Sequence, residues 1–295
     1  ATDGEHGGPS APGSAQEALA LATEHGLRRV DSKPGLAAYL RDVWRHRALT
    51  VELAKAKAYD RNQNNYLGQL WAALNPLLLV GAYFFVFGFL LDVSRGTDNY
   101  VAFLATGIFI FLFIAGALSA GAKAITGHQS LIRSVRFPRA VLPISIAMAE
   151  TLILLPALGV LLIILPLAGE PIQLEWLLLP AAVVLLFVFC TGLGMLVARA
   201  ASASRDVLNL VPLVVRLARY VSGVFFSIEA YAPGALGLVM QYQPVAVYLN
   251  LVRSCMLSGH PQDPVLWGVA AGWAVLFVVA GTYVFWRAEH RYGRE

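Results

Sequence analysis

Charge is scarce in this 295-residue chain: Asp, Glu, Lys and Arg together make up 14% of it, against about 25% in a soluble domain. Cysteine is scarcer still. Cys190 and Cys255 are too few for a disulfide framework, and Cys190, set in an apolar run, reads as packing. No GxxxxGK[ST] loop is present, so the chain cannot cradle nucleotide phosphates by that route. Neither HExxH nor GxSxG occurs, and the six histidines, from His6 to His290, are scattered through loops and tails. The acids Asp92, Asp98, Glu170, Glu175, Glu229 and Asp263 are dispersed rather than clustered. Together these absences exclude a disulfide scaffold, a coiled coil and an ordinary soluble enzyme. They favour transport or scaffolding over catalysis and leave no metal site, no cofactor on this chain and no nucleic-acid partner to expect.

What is present is hydrophobicity: 58% of residues are apolar or aromatic and the mean hydropathy is +0.64. The fold class that follows is all-α integral membrane. A bilayer core of ~30 Å takes ~20 apolar residues to cross. Six segments meet that test, at about 69–91, 100–122, 140–166, 174–198, 207–228 and 267–286. The third carries Pro143, Pro156 and Pro166 and is expected to kink, which a bundle tolerates when neighbours re-satisfy the freed backbone groups. A further apolar stretch, 235–257, holds Gln241, Gln243, Pro244, Asn250 and Arg253. That is too polar for an ordinary span. It is expected to fold as an external re-entrant helical hairpin between spans five and six, broken near Gln243-Pro244, with Arg253 near headgroups or substrate.

Three domains are read from the chain. Residues 1–35 are expected to be a cytoplasmic tail, disordered through its Gly/Ser/Pro-rich start and without the features of a signal peptide, with a short helix between Ser14 and Gly26. Residues 36–66 are an amphipathic interfacial region. Leu36, Tyr39, Leu40, Val43 and Trp44 recur at helical spacing opposite Arg41, Asp42, Arg45 and His46, which suits a helix lying in a membrane interface. Residues 67–295 hold the spans. With six spans both termini share a side with the loops at 123–139 and 199–206, and 18 of the 22 basic residues then fall on that side. Basic residues concentrate in the cytoplasm, so both ends are expected there and the protein in the inner (cytoplasmic) membrane.

Several residues stand out against this apolar background. Arg216 and Arg219 lie 10 to 13 residues into the fifth segment, three apart and so on one helix face. An arginine at a helix centre costs roughly 2.5–3.5 kcal/mol on insertion scales, so both should face protein or a wet pathway. Glu150, the only acid of the third segment, lies at similar depth. Either it forms a structural ion pair with Arg216 or Arg219, or an arginine is left free to hold an anionic group as a bidentate donor. Tyr83, Phe84 and Phe87 on the first span and Tyr220 on the fifth present aromatic faces within the apolar segments.

The polar break from Ala122 to Leu142 carries four basic residues and no acid. A short helix is expected there, then an extended turn at Phe137-Pro138. Its wording, HQSLIRSVRFPRAVLP, resembles the coupling-helix region of ABC-2 type permeases that export polysaccharides, through Leu131, Ile132, Arg133, Phe137, Pro138, Arg139, Leu142 and Pro143. YLGQLWAALNPLL resembles the same family's first-span start, through Leu67, Gly68, Trp71 and Pro76, with Arg61 in the place of a basic residue. Asn62 and Asn65-Tyr66 depart from the pattern. SGVFFS and YQPVAVYLNLVR add a weaker match. The likeness runs from about residue 36 to the C-terminus and is greatest to the O-antigen, teichoic acid and galactan exporters.

The resemblance implies a homodimer of six-span subunits, working with two copies of a separate ATP-binding cassette subunit that holds ATP and Mg. It also implies a lipid-linked polysaccharide cargo. His128, Gln129, Ser130, Leu131, Ile132 and Arg133 would then be the coupling helix that contacts the ATPase. Tyr39 and Trp44 would belong to an interfacial gate helix among membrane lipids, and Tyr83, Phe84, Phe87, Arg216, Arg219 and Tyr220 to the substrate pathway. A permease for a drug or lipid, and a non-transporting scaffold of a glycan-synthesis complex, remain alternatives.

Overall fold

A computed structural model describes residues 35–60, 70–91, 97–232 and 234–289. The expected tail and its Ser14–Gly26 helix lie outside these, as do Arg61, Asn62, Asn65, Tyr66, Leu67 and Gly68. Every regular element among the described residues is helical. In chain order they are α1 Leu36–Arg45, α2 Arg47–Asp60, α3 Trp71–Tyr83, α4 Tyr100–Ala122, α5 Gln129–Ser134, α6 Val141–Leu167, α7 Leu179–Ala203, α8 Asp206–Val221, α9 Ile228–Tyr231, α10 Ala235–Tyr242, α11 Pro244–Met256 and α12 Pro264–Ala288.

Helix α4 is apolar all round, and such a helix belongs in a core. It is accordingly buried along most of its length. The side chain of Asn99 starts it by accepting from Ala102 N at 3.1 Å, and the same amide donates to Ala168 O at 2.7 Å, where α6 ends. One residue thus caps one long helix and closes another. Pro156 and Pro166 sit inside α6, while Pro138 precedes it in an extended turn. Helices α7 and α12 meet backbone to backbone. A Cβ on Gly192 would run into the main chain of Phe277 and Val278, and one on Gly281 would lie 2.7 Å from Gly192 O.

Four of the expected spans are found as helices long and apolar enough to cross a membrane: Tyr100–Ala122, Val141–Leu167, Leu174–Ala203 and Pro264–Ala288. The first expected span is a shorter apolar helix, α3, continued by the seven residues Phe84–Leu90, which wind as a π-helix. The fifth differs more. The continuous helix expected at 207–228 stops at Val221, because Gly223 adopts a φ of 70° and turns the chain inward. Gln243 Nε2 holds the end by donating to Val221 O and Ser222 Oγ, each at 3.1 Å. At 16 residues, α8 is ~24 Å long at 1.5 Å per residue.

The break expected near Gln243-Pro244 is present: α10 and α11 are bent 76° apart. Gln243 is extended (φ −64°, ψ 149°), as sterics require before proline. Of the two places expected for Arg253, headgroups or substrate, the first does not hold: the residue is 1% exposed, and its guanidinium finds backbone carbonyls inside the fold.

Candidate functional site

At one end of the bundle a second apolar cluster forms from Tyr39, Ile125, Phe137, Leu142, Met195 and Phe285, with Leu131 and Ile132 packed against it. Those two contacts fix α5, which turns Gln129, Ser130 and Arg133 outward. His128 Nδ1 lies 2.9 Å from Ala124 O, closing the turn that leads into it. The six expected coupling residues are therefore brought together on one short, outward-facing element.

Beside it, three distant segments converge on one carboxylate. Glu289, just past α12, accepts from Tyr39 OH at 3.0 Å through Oε2. Its Oε1 accepts from Arg139 N at 3.1 Å and from an Arg139 guanidinium N–H at 3.2 Å, and its main-chain O takes a further bond at 2.9 Å. Burial pushes the Glu289 carboxyl above its ordinary range, and the Arg139 bonds and charge pull it part of the way back. The spacing of the apolar residues in α1 did not separate its two sides. Tyr39 is 2% exposed and faces the bundle, while Leu36, Leu40 and Trp44 form an outward stripe, with Trp44 69% exposed.

Four of the six residues assigned to a substrate pathway meet around Phe225, which the loop after α8 buries. Phe225 stacks on Phe87 with centroids 4.8 Å apart, and lies 4.6 Å from Tyr83 and 5.7 Å from Tyr220. Arg219 donates to Tyr83 OH at 3.2 Å and sits 5.3 Å over Phe111, within cation–π range. Phe225 was quoted only within a motif; no periodicity marks it as the hub. Phe84 points elsewhere, against Tyr100 at 6.4 Å. Arg216 also parts from the group and is exposed: three residues along a helix leave side chains ~60° apart, enough here for one to face in and the other out.

The ion pair expected between Glu150 and Arg216 is not formed. Glu150, 7% exposed, lines a cavity of about 600 Å³ between α3, α4 and α6, with Trp71, Asn75, Phe113 and Ser119. Gly116 makes room for it, since a Cβ there would lie 2.6 Å from Glu150 Oε2. Helix α8 packs on α4 and α7 rather than on α6, so equal depth in the sequence did not mean adjacency.

At the opposite end, Arg253 lies flat on Phe103, 3.4 Å from the ring centroid. Its terminal nitrogens donate to Gly223 O, Val224 O, Phe103 O and Asn250 Oδ1 at 2.9 to 3.4 Å. His260 stands against the same ring at 5.8 Å. Burial, then the Arg253 charge, hold its imidazole down to about 4, with Glu170 and Asp98 opposing. Among the described residues no group of three or more potential metal ligands converges.

Over 245 residues, 83% of the chain and 93% of the relative, the chain is 24% identical to the O-antigen export system permease protein RfbA of Klebsiella pneumoniae. It is 22% identical to a protein of the same name from Myxococcus xanthus over 247 residues, covering 83% and 94%. The polysialic acid transport protein KpsM of Escherichia coli is 22% identical over 227 residues, covering 74% and 83%. The model of the ABC-2 type transporter family matches residues 50–257, a stretch that takes in α5, the Phe225 hub and the bent α10–α11 pair, and the chain belongs to that family.

Proposed function

We propose that this chain is the membrane-spanning subunit of an ATP-driven exporter of a lipid-linked polysaccharide. Two copies pair with two copies of a separate ATP-hydrolysing subunit, which binds the ATP and Mg. The observation that carries the reading is the likeness to an O-antigen export permease over 93% of that relative's length. The chain crosses the inner membrane six times, by α3, α4, α6, α7, α8 and α12, with both ends cytoplasmic. The α10–α11 pair enters and leaves on the outside. The distribution of Lys and Arg supports that orientation.

In this arrangement α5 docks on the ATPase through Gln129, Ser130 and Arg133, while α1 lays Leu36, Leu40 and Trp44 into the interface. Tyr83, Phe87 and Tyr220 offer aromatic faces to the apolar C–H faces of passing sugars, in contacts weak enough to be released. Arg219 meets the pyrophosphate of the lipid carrier in this reading, a group that guanidinium grips bidentately.

A cysteine at Ser130 tests the docking. It should crosslink to the ATPase subunit when the two are expressed together, while a cysteine at Trp44 should not. No crosslink from any position between Thr126 and Arg133 would overturn it. In the same cells Arg219→Ala should abolish polymer export with the ATPase still bound. Normal export would remove that residue from the pathway.

A further inference from the structure

The end of the bundle opposite α5 holds a second cavity, of about 320 Å³, walled by the turn after α8, the bent α10–α11 pair and the loop before α12. Its lining is polar and of mixed kind: the amides of Gln241 and Asn250, the carboxylates of Glu229 and Asp263, and the buried guanidinium of Arg253. Arg253 spends only its terminal nitrogens on the protein. Its Nε is buried and has no partner among the described residues, and the same is true of Nδ1 of His260, which also lines the cavity. Two buried, unpartnered polar atoms on side chains that line one cavity are unusual, because an unsatisfied buried group costs about 1–3 kcal/mol.

The chemistry of the walls selects what can satisfy them. An anion would be drawn to Arg253 but repelled by Glu229 and Asp263, and a cation would meet the reverse. A group that donates and accepts at once, without charge, suits every wall: a hydroxyl accepts a hydrogen bond from the Gln241 or Asn250 amide or from the Arg253 side chain, and donates its own to a carboxylate or to an imidazole nitrogen. The space exceeds the ~30 Å³ share of one water many times over, and the ring of Phe103 adds an apolar face to the lining. We propose that this cavity binds one neutral sugar residue, a polyol ring held by Arg253, His260, Gln241 and the rim carboxylates. The choice of a sugar over another polyol rests on the export function proposed above.

The test is ligand-observed saturation-transfer NMR on the full chain in lipid nanodiscs. The probes are the methyl glycosides of galactose, mannose, glucose and rhamnose, with methyl glucuronide as the charged comparison. At least one neutral glycoside should show saturable transfer, and the glucuronide should bind at least tenfold more weakly. Gln241→Trp, which plugs the cavity, and His260→Phe, which keeps the ring against Phe103, should each weaken binding at least tenfold. If one variant does not fold, the other decides. No saturable transfer from any neutral glycoside, equal binding of the glucuronide, or undiminished binding in a folded variant would overturn the proposal. The measurement uses neither ATPase nor polymer, so its failure and a failure of the export reading are separately visible.

Discussion

Tyr39→Phe should release helix α1 from the bundle without disturbing the long helices. A ten-residue helix is marginal in water by itself, so the protection of its backbone amides depends on how firmly it is docked. Tyr39 contributes a hydrogen bond of 3.0 Å to the carboxylate of Glu289. A bond to a charged group contributes roughly 1.5–3 kcal/mol. The Arg139 and Glu289 side chains are 22% and 17% exposed, which places this one near ~1.5 kcal/mol. At ~1.4 kcal/mol per factor of ten, amide exchange over Leu36–Arg45 should quicken about tenfold. Glu289→Ala goes further. It removes the acceptor of Arg139 N as well and strands a guanidinium whose Nε already lacks a partner among the described residues. For α1 the added loss is that the docked Tyr39, 2% exposed, keeps a buried hydroxyl without its acceptor, a further ~1 kcal/mol, so exchange should quicken by roughly fiftyfold. Hydrogen-exchange mass spectrometry of the protein in nanodiscs reads both, with peptides from α12 as the internal reference. Exchange over Leu36–Arg45 within twofold of the parent in both variants would refute the clamp.

Gly192→Leu should prevent α7 and α12 from closing, because its side chain must enter the main chain of Phe277 and Val278; overpacking a helix seam costs at least 1–3 kcal/mol, and loss of the monodisperse peak in size-exclusion chromatography is the expected result. His260 titrates at about 4 in the fold against 6.5 unfolded, with Arg253, Glu170 and Asp98 around it. The unfolded chain therefore takes up the proton first as pH falls, and stability should be lost between about 6.5 and about 4. Thermal unfolding across that window should show the loss, and His260→Phe should remove it.

Hydropathy made the long helices legible because each is set by its own composition: α4, α6 and α12 begin and end within a few residues of where the apolar runs do. Local sterics made the Gln243 break legible too, since proline restricts the residue before it whatever surrounds it. Position across the bundle was not legible. Glu150 and Arg216 share a depth, but α4 packs against both of their helices, and nothing in a periodicity says which neighbour a helix has. The same limit hid Glu289, whose partners are 150 and 250 residues away. The burial of Arg253 was hidden for another reason. Headgroups were one of the two surroundings expected for it, but four carbonyl oxygens, three of them main-chain, gather on its guanidinium where α8 turns inward and the hairpin folds over it.

The glycine seam between α7 and α12 has a mechanical consequence. Helices held by side chains can slide, because rotamers yield; helices meeting backbone on backbone are keyed like a spline in its groove. Sliding one past the other by a single residue, ~1.5 Å, would leave Gly192 opposite atoms shaped for no other neighbour, so the pair has one register. It behaves as a single rigid beam, and the joints that can bend are the softer ones: the Gly223 turn, the π-helical segment that follows α3 and the 76° corner at Gln243.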